Sequence, residues 1–251
     1  MDSSASKNKD KLRNTEKNED IISKKYSLSE DAYRTLKNAI VNFELRPGDR
    51  YTQPQLESKY GLTTASLRNA LTRLQQEQLI IAVPRQGYAI SSITIEDIIN
   101  IFDLRMLIEP YSVKIASEKI NRAKIDTLKM LIKLQSNTNY RESTREFLMI
   151  DRDFHLTIAK MTENSILISF SEKLFDLSLR ALYLGVFLTK KSAMAWTNIH
   201  EEVVKELEAG NTDEASKAIF RGLEKSKDRL IKAMLKNPVL SKVNLVFSES
   251  E

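Results

Sequence analysis

From residue 94 to 236, apolar residues return every three or four positions, and nowhere do they alternate with polar ones as in a half-buried strand. Six such stretches follow one another, near 95–119, 122–139, 144–162, 165–188, 192–209 and 212–236. Only Asn121, Ser143, Asn164, residues 190–192 and the pair Gly210-Asn211 punctuate them. Helices joined by so few residues turn back on their predecessors, so the pattern predicts a six-helix antiparallel bundle. Pro238 ends the last helix, since proline brings no N–H and its ring blocks the preceding turn.

The chain has 251 residues, 41% of them hydrophobic, which suits one large domain or two ordinary ones with a buried core. No apolar run approaches the roughly 20 residues of a membrane span, and the polar N-terminus lacks the apolar stretch of a secretory signal. With no cysteine, disulfides and thiolate metal sites are excluded. A cytoplasmic protein fits these features. The net charge of +5 permits nucleic-acid binding without requiring it. Residues 1–26 are Ser, Asn, Lys and Glu with almost nothing to bury, and are expected to be a disordered, solvated tail. Residues 239–251 form a second tail.

Residues 27–91 have a different grammar. Ala32, Leu36, Ala39, Ile40 and Phe43 recur at helical spacing, and Leu45-Arg46-Pro47-Gly48-Asp49 reads as a turn. Thr52-Gln53-Pro54-Gln55 is a capping box with proline in the first turn, opening a short helix that Gly61 closes. Thr63 caps a third helix with an apolar face of Leu67, Ala70, Leu71 and Leu74. Two β-prone runs, 79–83 and 88–90, flank the turn Pro84-Arg85-Gln86-Gly87. Three helices and a β-hairpin in about 65 residues is the plan of a winged helix-turn-helix.

That plan suits double-stranded DNA. The third helix would enter the major groove by its N-terminus, bringing Thr63, Thr64 and Ser66 to base edges. Arg68 lies on its polar face, placed for a phosphate or a guanine, and Arg73 for the backbone further along. Arg85, Gln86 and Gly87 at the wing tip would reach the neighbouring minor groove. The alternatives are an ordinary solvated helix face and a winged helix that binds protein.

In order and spacing, Leu45-Arg46-Pro47-Gly48, Leu56, Gly61-Leu62-Thr63, the run from Leu67 to Leu74, Gln78-Leu79-Ile80 and Pro84-Arg85-Gln86-Gly87-Tyr88 resemble the DNA-binding domain of the GntR family. The resemblance covers roughly residues 29–91 and implies a transcriptional regulator. Arg68 matches that family's DNA-contacting arginine, and Gln86 and Gly87 match its wing tip. Thr64, Ser66 and Asn69 stand where the family often has Arg, Pro and Glu, so its operator preferences do not carry over.

In the bundle, Asp151 and His155 are four residues apart on one helix face, among Phe147, Ile150, Phe154, Ile158 and Met161. The other histidine of the chain, His200, sits beside an apolar stripe of Trp196, Ile199, Val203 and Leu207. Such groups either satisfy one another by hydrogen bonds or share a divalent cation. Residues 95–236 resemble the FCD effector domain of the FadR subfamily, through Leu104-Arg105, Glu109-Pro110, the run 151–155, Glu163-Asn164, and His200 with Glu208-Ala209-Gly210-Asn211. Many such domains bind a metal, Zn²⁺ or similar, through one Asp and three His. Asp151, His155 and His200 match three of those positions, and the fourth falls on Gly222, where missing side-chain volume is expected to leave empty space. Arg105 resembles an arginine that faces the effector, with a salt bridge to Glu109 as its alternative role.

The expected fold is therefore mainly α: a winged helix-turn-helix over 27–91 and an all-helical effector-binding and dimerisation domain over 92–238. The expected function is that of a ligand-responsive regulator, with no catalytic residues, acting as a homodimer on an inverted-repeat operator. Its small-molecule effector is by resemblance a carboxylate. The rival readings are a metal-dependent enzyme built on two His and one carboxylate, and a protein-interaction module.

Overall fold

The computed structural model describes residues 28–139, 142–189 and 194–236, without the side chains at 189 and 194–197. The expected tails at 1–26 and 239–251, the break at 190–192 and the Trp196 side chain lie outside the described residues. The chain divides into two units, residues 1–40 with 44–91, and residues 41–43 with 92–251.

In the first unit, helix α1 (28–41) is followed by β1 (Arg50–Tyr51), α2 (Gln53–Tyr60), α3 (Thr64–Gln76), β2 (Ile80–Val83) and β3 (Gly87–Ile90). Local chemistry sets the helix limits. The Thr52 N–H donates to Gln55 Oε1 at 2.8 Å, and Pro54 fills the first turn of α2. Gly61 stops that helix at φ +64°, a left-handed conformation that costs glycine little. Leu36, Ile40, Leu56, Leu67, Leu71 and Leu74 form the core of the unit.

The three strands are antiparallel in the order β1-β3-β2, with Tyr51 opposite Tyr88 and Val83 opposite Gly87. The expected hairpin is thus the outer part of a three-stranded wing. Two residues of β1 are too few to show alternation in the sequence. At the hairpin tip the Gln86 N–H donates to Val83 O, with Pro84 and Arg85 between them. Arg85 takes φ +63°, the position of a type II turn where glycine is usual.

The second unit consists of α4 (Ile95–Glu118), α5 (Arg122–Asn137), α6 (Thr144–Met161), α7 (Ser165–Thr189), α8 (Met194–Glu208) and α9 (Thr212–Leu235). Thr94 and Asp97 form a reciprocal cap on α4, with hydrogen bonds of 2.9 and 2.8 Å, and Asn121 caps α5. α5 packs on α6, α6 on α7 and α8 on α9, which across such short connections makes neighbours antiparallel. α4 packs on α9, α6 and α7, and α5 on α8. The inward stripes of these helices meet in one core, to which Phe102, Leu128, Leu148, Phe154, Val203 and Ile219 belong. No helix among the described residues is long and apolar enough to cross a membrane.

Candidate metal centre and nucleic-acid surface

Three helices bring Asp151 and His155 of α6, Gln135 of α5 and His200 of α8 together inside the second unit. Asp151, His155 and His200 each offer a ligand atom within 4.8 Å of the others, at 5%, 7% and 3% exposure. His200 Nε2 lies 3.3 Å from His155 Nε2 and 3.6 Å from Asp151 Oδ1, and His155 Nε2 lies 3.9 Å from Asp151 Oδ2. Phe154 stacks on the His200 ring at 4.0 Å between centroids and fixes its plane.

Two residues that sequence reasoning did not place at the cluster set the direction of these imidazoles. Gln135, buried to 1% exposure, donates from Nε2 to Asp151 Oδ1 at 3.2 Å. An ionised carboxylate only accepts, so the amide nitrogen must face it, and Gln135 Oε1 then faces His200 Nδ1 at 3.0 Å. That oxygen calls for a proton on Nδ1, which leaves the His200 Nε2 lone pair pointing at His155. On the other side, Glu109 Oε2 stands 2.5 Å from His155 Nδ1, outside hydrogen-bond geometry but close enough for its charge to favour a proton there. Both Nε2 lone pairs then face one another and the Asp151 carboxylate. Three acceptors turned inward are matched by a cation. Ligand atoms of a tetrahedral Zn²⁺, with bonds of about 2.0–2.1 Å, stand about 3.4 Å apart, close to the separations found here. The donor set therefore fits a divalent cation, for which Glu109 and Gln135 would be the outer partners orienting the imidazoles.

The charges agree with that polarity. Burial pushes the His200 imidazole down to about 3, against the pull of Asp151, so it is neutral and ligand-competent at ordinary pH. Burial alone would raise the Glu109 carboxyl, but Arg105 and His155 together outweigh it and hold it at about 2. Arg105 Nε pairs with Glu109 Oε1 at 2.5 Å, both side chains being almost fully buried. The salt bridge is thus present, and Arg105 also borders a cavity of about 30 Å³ that reaches Asp151, His155 and His200.

Gly222 borders this cavity too, so space lies beside the site as expected, but not in the direction its own side chain would take. A Cβ built on Gly222 would stand 2.5 Å from Ile199 Cγ2, so the isoleucine one residue before His200 occupies that direction. Neighbouring helices refill part of the volume that a helix-by-helix reading leaves open.

On the first unit the sequence-selected residues separate into two groups. Thr63 and Ser66 serve the cap of α3. The Ser66 N–H donates to Thr63 Oγ1, and the Ser66 hydroxyl donates to Thr63 O at 3.0 Å. Ser66 is 5% exposed, which removes it from a surface that a base edge could meet, contrary to expectation. Arg73 pairs with Glu30 at 2.5 Å and lies 3.6 Å over the Tyr33 ring, so its charge is already engaged. Gln86 Oε1 accepts from Arg50 of β1, an exposed residue that sequence reasoning missed. Gly87 has φ +95°, and a Cβ there would run into the Tyr51 carbonyl, so sheet packing already requires glycine. Thr64, Arg68 and Arg85 are exposed, and neither arginine side chain has an ion pair or hydrogen bond among the described residues.

Comparison with known proteins bears on both units. Residues 28–90 match the model of the bacterial regulatory proteins of the gntR family, and residues 100–225 match that of the FCD domain. The HTH-type transcriptional repressor GlaR of Escherichia coli is 27% identical over 68% of this chain and 80% of that protein. The HTH-type transcriptional regulator YdhC of Bacillus subtilis is 25% identical over 58% of this chain and 65% of that protein. The solved structure of E. coli McbR/YncC superposes with a TM-score of 0.70 at 19% identity, covering 82% of this chain and 97% of that one, a likeness of fold.

Proposed function

Because this chain belongs to the FCD-domain regulators of the gntR family, which are ligand-responsive DNA-binding transcription regulators, we propose that its helical unit senses a small anion at a divalent metal held by Asp151, His155 and His200. The observation that carries this reading is the inward convergence of two imidazole lone pairs and one carboxylate, each oriented from outside by Glu109 or Gln135. The cation supplies a Lewis-acidic point for an effector carboxylate, and Arg105 on the cavity wall supplies a second positive group. With Gly222 in the fourth position, one coordination place is left to water or effector. The matches to transcription-regulator families support a sensor rather than an enzyme. An oxygenase assay of the Fe²⁺-loaded protein checks that choice.

DNA is contacted through Thr64 and Arg68 of α3 and Arg85 of the wing. The chain acts as a homodimer on an inverted repeat, in the cytoplasm where its operator lies, since one winged helix covers too few base pairs for specificity. An apolar stripe on α4 supports the dimer: Leu104, Leu107 and Tyr111 share a face, with Leu107 71% exposed. On α7, which packs against α4, Ile166 and Phe170 are exposed as well. Effector binding alters operator affinity only through a free-energy difference between two dimer arrangements. The test is an anisotropy titration of duplex DNA across salt, with mass spectrometry of small molecules released on denaturation. Salt-dependent binding that a released anion shifts supports the proposal. Salt-independent binding, or none, contradicts it.

A further inference from the structure

The wing tip carries a polarity that the shape of the hairpin does not require. Strand β1 lies beside β3, and at Gly87 the two backbones are so close that a Cβ there would run into the Tyr51 carbonyl. That approach brings Arg50, the first residue of β1, within reach of the tip, where its Nη1 donates to Gln86 Oε1. A guanidinium only donates, so the amide oxygen must be the atom that faces it. The Gln86 NH₂ is then the outward end of that side chain, which is exposed and has no second partner among the described residues. Arg85 beside it is exposed and adds only donors. The side chains of residues 84–87 therefore turn donors outward and no acceptor, since the one acceptor among them is engaged by Arg50.

We propose that Arg50 makes the wing a reader of A·T pairs, by locking the amide of Gln86 with its nitrogen towards the minor groove. The floor of that groove shows only acceptors at A·T and T·A, adenine N3 and thymine O2. At G·C it adds the donating 2-amino group of guanine. A free glutamine would suit either case by turning its amide over and offering its oxygen to the guanine amino group. Arg50 opposes that turn, because a turned amide would set its NH₂ against the guanidinium. Arg50 is thus a positioning residue, and Gln86 is the residue that touches the base. The inference rests on the reading that the wing enters the minor groove, and it adds which base pairs the wing accepts.

The test is selection of duplexes from a randomised DNA library by the full-length protein, then anisotropy titration of a selected duplex with single base pairs exchanged. Beside the positions read by α3, the selected duplexes should carry A·T or T·A, and exchange to G·C should weaken binding about fivefold or more. Exchange to inosine·C should restore the A·T affinity, since that pair keeps the major-groove face of G·C but lacks the 2-amino group. Arg50→Met and Gln86→Ala should each abolish the preference, with circular dichroism reporting the fold, and Arg50→Lys, which still only donates, should keep it. Flanking pairs selected without A·T preference, or inosine·C bound as weakly as G·C, overturn the proposal. So does a preference that survives Arg50→Met, or one that survives Gln86→Ala and so belongs to an arginine. An equal loss on all sequences in Arg50→Met, with a salt slope shallower by about one, makes Arg50 a phosphate contact and also overturns it. If the parent protein selects no sequence at all, the DNA-binding reading itself fails; selection without flanking A·T defeats only the role of Arg50 and Gln86.

Discussion

Replacing Gly222 by alanine should fail to stabilise the helical unit. Inside a helix this exchange ordinarily gains about 1 kcal/mol. Here the new Cβ would stand 2.5 Å from Ile199 Cγ2 and 3.4 Å from Ile199 Cβ. Carbon contacts are favourable only beyond about 3.5 Å. Ile199 is β-branched and sits within α8, so it has one strongly preferred rotamer and cannot swing aside cheaply. Over-packing of this kind costs about 1–3 kcal/mol, and subtracting the helix gain of about 1 kcal/mol leaves a net loss of about 0–2 kcal/mol. Once Ile199→Ala has removed the obstructing methyl, Gly222→Ala should gain about 1 kcal/mol, so the two sites couple by about 1–3 kcal/mol. Urea unfolding followed by the fluorescence of Trp196, the sole tryptophan and a residue of α8, reads the helical unit. The same obstruction governs the metal. Gly222→His should tighten Zn²⁺ binding much more in the Ile199→Ala background than alone. If Gly222→Ala is stabilising with Ile199 present, or Gly222→His alone tightens the metal fully, Ile199 is not the barrier and the reasoning fails.

Acid should destabilise the metal-free protein in two stages. His200 falls from 6.5 to about 3 on folding, so its contribution is complete above pH 6.5 and is lost as pH drops from 6.5 towards 3. Glu109 falls from 4.5 to about 2, and its contribution is lost from pH 4.5 downward. Between pH 6.5 and 4.5 the slope should be about 1.4 kcal/mol per pH unit, and His200→Gln should flatten it in chelator-treated protein. A variant as acid-sensitive as the parent would refute the assignment to His200. Arg68→Ala should weaken duplex binding by about 1–3 kcal/mol in an anisotropy titration, and unchanged affinity with the fold intact removes it from the DNA surface. Leu107→Glu should convert the dimer to monomer in sedimentation, since it places a charge on the exposed α4 stripe. An unchanged mass would put the interface elsewhere.

The helices were legible because their causes are local. The apolar stripe of α6 runs through Phe147, Phe154 and Ile158, and Thr63, Thr94 and Asn121 announce the starts of α3, α4 and α5. Strand β1 was not legible, because its two residues owe their conformation to pairing with Ala89 and Tyr88. Asp151 and His155 could be placed together by their four-residue spacing, and His200 by its being the other histidine of the chain. Gln135 left a signal that went unread, a lone amide continuing the buried series Ile125, Leu128 and Ile132 on α5. Its task, fixing the tautomer of an imidazole 65 positions away, depends on packing between helices and not on spacing. The same holds for Gly222, which borders a cavity while Ile199 fills the direction its side chain would take. Ser66 misled for the opposite reason, since its hydroxyl turns back to its own cap while sequence placed it on the groove side.

The central claim is that His155 and His200 present their Nε2 atoms, with Asp151, to one divalent cation. X-ray absorption at the zinc edge of the loaded full-length protein, with the zinc content measured on the same sample, tests it most directly. The account predicts about one zinc per chain, with two imidazole ligands and oxygen in the remaining places. In His155→Ala the imidazole signal should halve or the metal be lost. Zinc far below one per chain, a spectrum without imidazole scattering, or a spectrum unchanged in His155→Ala would contradict the account.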